Sequence, residues 1–160
     1  MSNEIALSDL QEFVSGFWYD YDEAHYDEMA AAFADDARYI SRSDSGASPF
    51  EELMSPELQG REAIMEWLSA HRKESPYPLR HHSTNLHRTG SDGDATRARF
   101  YIFVNQITNF VPFAVSSGVA NVAVRRGANG LEFTEMEVIL DTTNSVLLSE
   151  YSATAAPAGA

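Results

Sequence analysis

Residues 80–108 read RHHSTNLHRTGSDGDATRARFYIFVNQIT, and this stretch decides the fold. At its centre, Ser91-Asp92-Gly93-Asp94 is a hairpin turn signal. Upstream of the turn, residues 80–89 predict a strand. Downstream, 95–108 sets Ala98, Phe100, Ile102 and Val104 against Arg97, Arg99, Tyr101 and Phe103. A period of two is the period of a strand. Apolar residues on both faces predict one face in a core and the other partly covered by a partner. Further on, a Val- and Ala-rich strand is expected near 113–126, a turn at Gly127-Ala128-Asn129-Gly130, and a fourth strand over 131–142.

Before residue 80 the pattern is helical. Leu10, Phe13, Val14, Phe17, Trp18 and Tyr21 fall at steps of three and four, which makes one helical stripe, and Ser8 with Gln11 reads as its capping box. A break is expected at Asp22–His25. Tyr26, Met29, Ala30 and Phe33 predict a second, short helix ending near Asp35-Asp36, followed by a short strand over Arg38–Ser41. Residues 42–59 carry Ser, Asp, Gly and two prolines and predict a long loop, with one helical turn around Phe50–Met54. After Gly60, a third helix puts Ile64, Trp67, Leu68 and His71 on one face, and Pro76 and Pro78 end it. Helices followed by hairpin-linked strands predict an α+β fold. The expected architecture is a cone: a curved antiparallel sheet wrapped around three N-terminal helices, enclosing a pocket.

A length of 160 residues predicts one domain over 1–160, with its core at about 8–145 and a frayed tail at 152–160. The absence of cysteine excludes disulfides, thiolate metal sites and a cysteine nucleophile. Twenty-four acidic residues against eleven Lys and Arg give a formal charge of −13. That excess repels phosphate backbones and anionic lipid, so neither nucleic acid nor membrane is expected as a partner. The one local basic stretch is Arg125-Arg126, with Arg88, Arg97 and Arg99 scattered nearby, and it reads as solvated strand edge. The start, MSNEIALSDL, has neither a basic nor an apolar signal region, which predicts the cytoplasm. The five histidines form no compact ligand triplet, and no glycine-rich phosphate loop or nucleophile elbow occurs. No metal and no cofactor are expected.

Five segments carry a resemblance: FWYDYDEAHYDEMAAAFADDARY (17–39), GREAIMEWL (60–68), RHHSTN (80–85), SDGDATRARFYIFV (91–104) and EMEVILDT (135–142). With the strands between them, they make the chain resemble the α+β cone proteins of the nuclear transport factor two superfamily, within it the SnoaL-like group. Relatives include scytalone dehydratase, ketosteroid isomerase, limonene epoxide hydrolase, polyketide cyclases and the small subunits of ring-hydroxylating dioxygenases. Such a range means that the fold does not fix the function.

Within that resemblance, Tyr21-Asp22 is similar to a tyrosine–aspartate pair of scytalone dehydratase, and His81 stands where that enzyme has a catalytic histidine. The implied roles are His81 as general acid/base, Asp22 as its orienting carboxylate and Tyr21 as polariser of a substrate carbonyl. Each also has a plain structural reading: Asp22 as a helix cap, Tyr21 as core, His81 as a hydrogen-bonded pocket floor. Strand parity puts His81, Ser83, Asn85 and His87 on one face and His82 on the other. The resemblance turns His81 inward, with Asn85 deeper on the same face. Phe17, Trp18, Asn85, Phe100 and Ile102 are the expected substrate-binding residues.

The departures are equally specific. Ser41 stands where ketosteroid isomerase has its base, and GVANVAV (118–124) lacks the aspartate of SnoaL-like cyclases. A second pocket histidine has no counterpart on 95–108, where Asn105 or Gln106 is the nearest polar residue. The reading leans to an enzyme: a lyase or isomerase, dehydratase-like, for a small apolar oxygenated ring compound. The alternatives are a non-catalytic subunit resembling the dioxygenase small subunit, and a small-molecule-binding protein. The family pairs through its sheet, and Tyr101 and Phe103 lie opposite Phe100 and Ile102, so a homodimer or higher homo-oligomer is expected.

Overall fold

The computed structural model describes residues 4–46 and 51–151, so the expected tail at 152–160 lies outside the described residues. The order is α1 (Leu7–Glu23), α2 (Tyr26–Ala31), β1 (Phe33–Ser43), a single 3₁₀ turn at Glu51–Leu53, β2 (Leu58–Gln59), α3 (Arg61–Glu74), β3 (Leu79–Asp92), β4 (Ala95–Thr108), β5 (Val111–Gly127) and β6 (Gly130–Leu140). The strands make one curved six-stranded sheet in the order β2-β1-β6-β5-β4-β3. The α+β architecture is the one the hairpin pattern predicts. One pairing differs from the antiparallel expectation: β1 runs parallel to β6, with Tyr39 opposite Met136.

Two local expectations are overturned. Phe33 is not helical; α2 stops at Ala31 and Phe33 opens β1, opposite Phe133. The Phe133 N–H donates to the Ala32 carbonyl at 2.8 Å, so sheet pairing overrides the helix propensity of the Ala-rich run. The Ser8–Gln11 capping box also does not form. The helix starts two residues earlier, with Ala6 at the cap and the Leu10 N–H bonded to the Ala6 carbonyl, so Ser8 is already inside the first turn.

The core sits between α1 and the sheet. Phe17, Phe33 and Phe133 form a triangle with ring centroids 5.2 to 5.5 Å apart. Leu10, Val14, Phe17, Trp18 and Tyr21 are all buried, as the stripe predicts. Each such side chain contributes roughly 1.5–3 kcal/mol by leaving water. The β4 alternation holds: Phe100, Ile102 and Val104 are buried, whereas Tyr101 and Phe103 are exposed. Helix α1 lies across β3, which brings its C-terminal turn over the start of that strand.

Candidate functional site

Trp18, Tyr21 and Asp22 stand at i, i+3 and i+4 on α1, one face of its last turns. The helix ends at Ala24, whose left-handed backbone (φ 59°) turns the chain away. Arg72 of α3, itself buried, holds that end in place. Its Nε donates to the Tyr21 carbonyl (3.0 Å), its Nη2 to the Asp22 carbonyl (2.8 Å), and its Nη1 to the carbonyls of Ser75 and Pro76. A guanidinium on the last carbonyls of a helix meets the negative end of its dipole. Residues 21 and 22 are therefore fixed in backbone as well as in side chain.

From that fixed turn, Asp22 grips His81 at two points. Oδ2 accepts the His81 backbone N–H at 2.8 Å, and Oδ1 meets the ring Nδ1 at 2.6 Å. Both side chains are nearly sealed, 5% exposed for Asp22 and 11% for His81. An ionised carboxylate only accepts, so Nδ1 carries a proton, and in the neutral ring Nε2 keeps a lone pair. The indole of Trp18 stacks on the imidazole, centroids 4.7 Å apart and planes 11° apart, and the Tyr21 ring meets it edge-on at 5.1 Å. The indole Nε1 of Trp18 is buried without a hydrogen-bond partner, alone in this among the described residues.

A second imidazole completes the cluster. His71 of α3 meets the Tyr21 hydroxyl through Nδ1 at 2.7 Å. Trp67, one turn earlier on α3, stacks on it at 4.7 Å and 13°, as Trp18 does on His81. Burial, His81 and Arg72 together push the His71 pKa down from its ordinary value. Burial pushes the Tyr21 phenol up to about 12, so it keeps its proton. The sequence placed His71 on the apolar face of α3 but gave it no role. The available signal was its spacing of four from Trp67.

Other expected residues fall as follows. His82 points outward, bonded through Nε2 to Asn105 Oδ1 at 2.7 Å, so His81 is the inward member of the pair. Asn85 is misplaced by simple parity. The pairing shifts between Thr84, opposite Tyr101, and His87, opposite Arg99, so one extra residue enters β3. Asn85 takes the left-handed backbone there (φ 58°) and is exposed, which corrects its expected place deep on the inner face. The same bulge carries His87 to the outer, exposed side. Phe17, Phe100 and Ile102 are buried, and Phe17 touches Trp18 edge-on at 5.1 Å. Ser41 is buried and bonded to Ser55, which pins the return of the 42–59 loop to β1. Around His81 the rings of Trp18 and Tyr21 pack directly, with Phe17 against Trp18. A cavity of about 350 Å³ lies elsewhere, at the β3–β4 turn, lined by residues that include Arg88, Ser91 and Asp94. Among the described residues, no three His, Asp or Glu side chains gather as a metal site requires.

The model of the SnoaL-like domain matches residues 6–137. The chain belongs to the SnoaL-like domain family. Among solved structures, this SnoaL-like domain is similar to ActVI-ORFA from Streptomyces coelicolor, at 19% identity and TM-score 0.69, covering 85% of this chain and 97% of that one. It is also similar to the beta subunit of the benzoate 1,2-dioxygenase from Burkholderia mallei, at 18% identity and TM-score 0.67, covering 88% and 93%. A protein from Catenulispora acidiphila in complex with S-DNPA matches at 25% identity and TM-score 0.64, covering 83% and 91%. No curated protein matches the chain. These likenesses establish the fold of the SnoaL-like domain and leave its chemistry to the site. No helix among the described residues is long and apolar enough to cross a membrane.

Proposed function

We propose that this SnoaL-like domain is a cofactor-independent lyase or isomerase, dehydratase-like, that moves a proton on a small apolar oxygenated ring compound. The observation that carries the reading is the two-point grip of Asp22 on His81, which leaves Nε2 of the neutral imidazole as the free base. A surface or merely packing histidine has no need of a sealed carboxylate on its far side. Nε2 takes the proton from a carbon beside a carbonyl, and the C–H pair moves toward the carbonyl oxygen. Asp22 and the π face of Trp18 meet the charge that arrives on the ring. The imidazolium then returns the proton to a leaving hydroxyl, which departs as water, or to another carbon. The Tyr21 ring meets His81 edge-on while its hydroxyl is bonded to His71, and the unpartnered Trp18 N–H is the free donor within the same cluster. Phe17, Phe100 and Ile102 supply the apolar surroundings that suit a ring compound. One structural neighbour is a complex with a small molecule, which supports a ligand in this fold.

The test is an NMR titration of all five histidines against hydroxylated aromatics and cyclic ketones. His81 should respond to a ligand while exposed His82 and His87 stay still. Binding that moves His82 and leaves His81 unmoved would sink the assignment.

A second reading, a structural subunit like the dioxygenase beta subunit, is favoured by a separate observation. Residues 100–124 contain no Asp, Glu, Lys or Arg, in a chain of net charge −13. Their outer side exposes Tyr101, Phe103 and Ile107 at 54%, 42% and 46%. Such a face suits a protein partner, and a second copy of this chain serves the enzyme reading equally, as a homodimer through the sheet.

A further inference from the structure

Tyr21 joins two imidazoles that the sequence gives no reason to connect. Its ring edge lies on His81, and its hydroxyl meets His71 Nδ1 at 2.7 Å. We propose that His71 is a positioning residue that sets the direction of the Tyr21 O–H, so that near neutral pH Tyr21 offers lone pairs, not a proton, to a ligand oxygen and selects a hydroxyl over a carbonyl there. The inference deepens the proton-transfer reading and rests on it for what the Tyr21 oxygen meets.

The direction follows from relative basicity. A bare imidazole nitrogen, protonated near pH 6.5, is far more basic than a phenol oxygen. A neutral pair therefore bonds as O–H···N, Tyr21 donating and Nδ1 accepting. His71 then carries its proton on Nε2. Having spent its only proton, the Tyr21 oxygen can accept from a substrate hydroxyl but cannot polarise a carbonyl. Protonation of His71 reverses the bond. Both ring nitrogens become donors, Nδ1–H gives to the Tyr21 oxygen, and the phenol proton is released for an acceptor.

The surroundings favour the neutral ring. Tyr21 faces it from α1, His81 from β3 with Asp22 behind that ring, and Arg72 stands beside it on α3. Burial, His81 and Arg72 lower its pKa, while Trp67 covers one ring face. Tyr21 stays a phenol, since burial raises it to about 12.

The experiment uses the full chain without ligand. Ring nitrogen shifts of His71 at pH 7.5 report which nitrogen bears the proton, and the titration of His71 is compared between wild type and Tyr21→Phe. The expected result is a proton on Nε2 in most molecules. The His71 pKa should rise by roughly 0.5 to 1 pH unit in the variant, because a bond that stabilises the neutral ring is lost. A proton on Nδ1 in most molecules overturns the proposal, as does a pKa that falls or does not move. If Tyr21→Phe does not fold, the wild-type tautomer decides alone. Neither readout needs turnover or binding, so an inert His81 would refute the proton-transfer reading without touching the direction of this bond, and the converse holds.

Discussion

His81 and His71 are matched imidazoles in opposite settings. Each lies flat on an indole, but one is backed by a carboxylate and the other by a phenol, with a guanidinium on the next residue. The depressed pKa of His71 has a thermodynamic consequence. A histidine that binds its proton less well when folded lets the unfolded chain take up protons first. Its contribution to stability is complete above its ordinary pKa of 6.5 and is lost as pH falls below that, toward the lower folded value. Urea midpoints at pH 7.5 and 5.5 should therefore drop more for wild type than for His71→Gln, which keeps a polar partner for Tyr21. An equal drop in both would contradict a depressed His71. The exposed His25, raised by its bond to Asp20, works in the opposite sense and cancels in the comparison. At this scale the sequence was partly legible. Tyr21, Asp22 and His81 were nameable from their resemblance, and parity divided His81 from His82. Asn85 was not, because a single extra residue in β3 reverses the face of all that follows it. Arg72 was not either. Nothing in AHRKES (70–75) marks one of two adjacent cations as buried, since that depends on where the end of α1 comes to rest.

The β4–β5 hairpin is the element that divides the outer face of the sheet. On one part, Arg42, Glu137, Asn121 and Arg99 form a continuous polar ladder across four strands. On the other, the charge-free stretch exposes Tyr101, Phe103 and Ile107. Two copies of a strongly acidic chain can approach each other most closely where neither carries charge. Sedimentation at micromolar concentration should find a dimer, and Phe103→Glu should shift it toward monomer by placing like charges across the interface. A monomer for the wild type would contradict pairing through this face. The alternation that exposes these residues was readable along 95–108, because a period of two survives any change in packing. The limits of β1 were not. FADDARYISRS (33–43) has helical Ala and loop-like Asp at its start, and the parallel partner β6, a hundred residues away, holds that start in the sheet.

In the whole molecule, three elements that are distant in sequence meet at one corner: the end of α1, the end of α3 and the start of β3. The sheet fixes β3, the aromatic triangle fixes α1 on the sheet, and Arg72 ties α3 to α1. Helix order and hairpin spacing made this architecture legible. The convergence was not legible, since the meeting of His71 with Tyr21 depends on how α3 crosses α1. The proposed proton transfer is tested most directly by exchange of the C–H protons beside the carbonyl of cyclohexanone and tetralone, followed in heavy water by NMR. Wild-type protein should accelerate exchange above buffer for at least one ketone. His81→Ala, folded as judged by its spectrum, should then lose roughly 10²–10⁴-fold of that acceleration, the usual contribution of a general base. Equal exchange in His81→Ala and wild type, or no acceleration by wild type of a ketone seen to bind at His81, would contradict it.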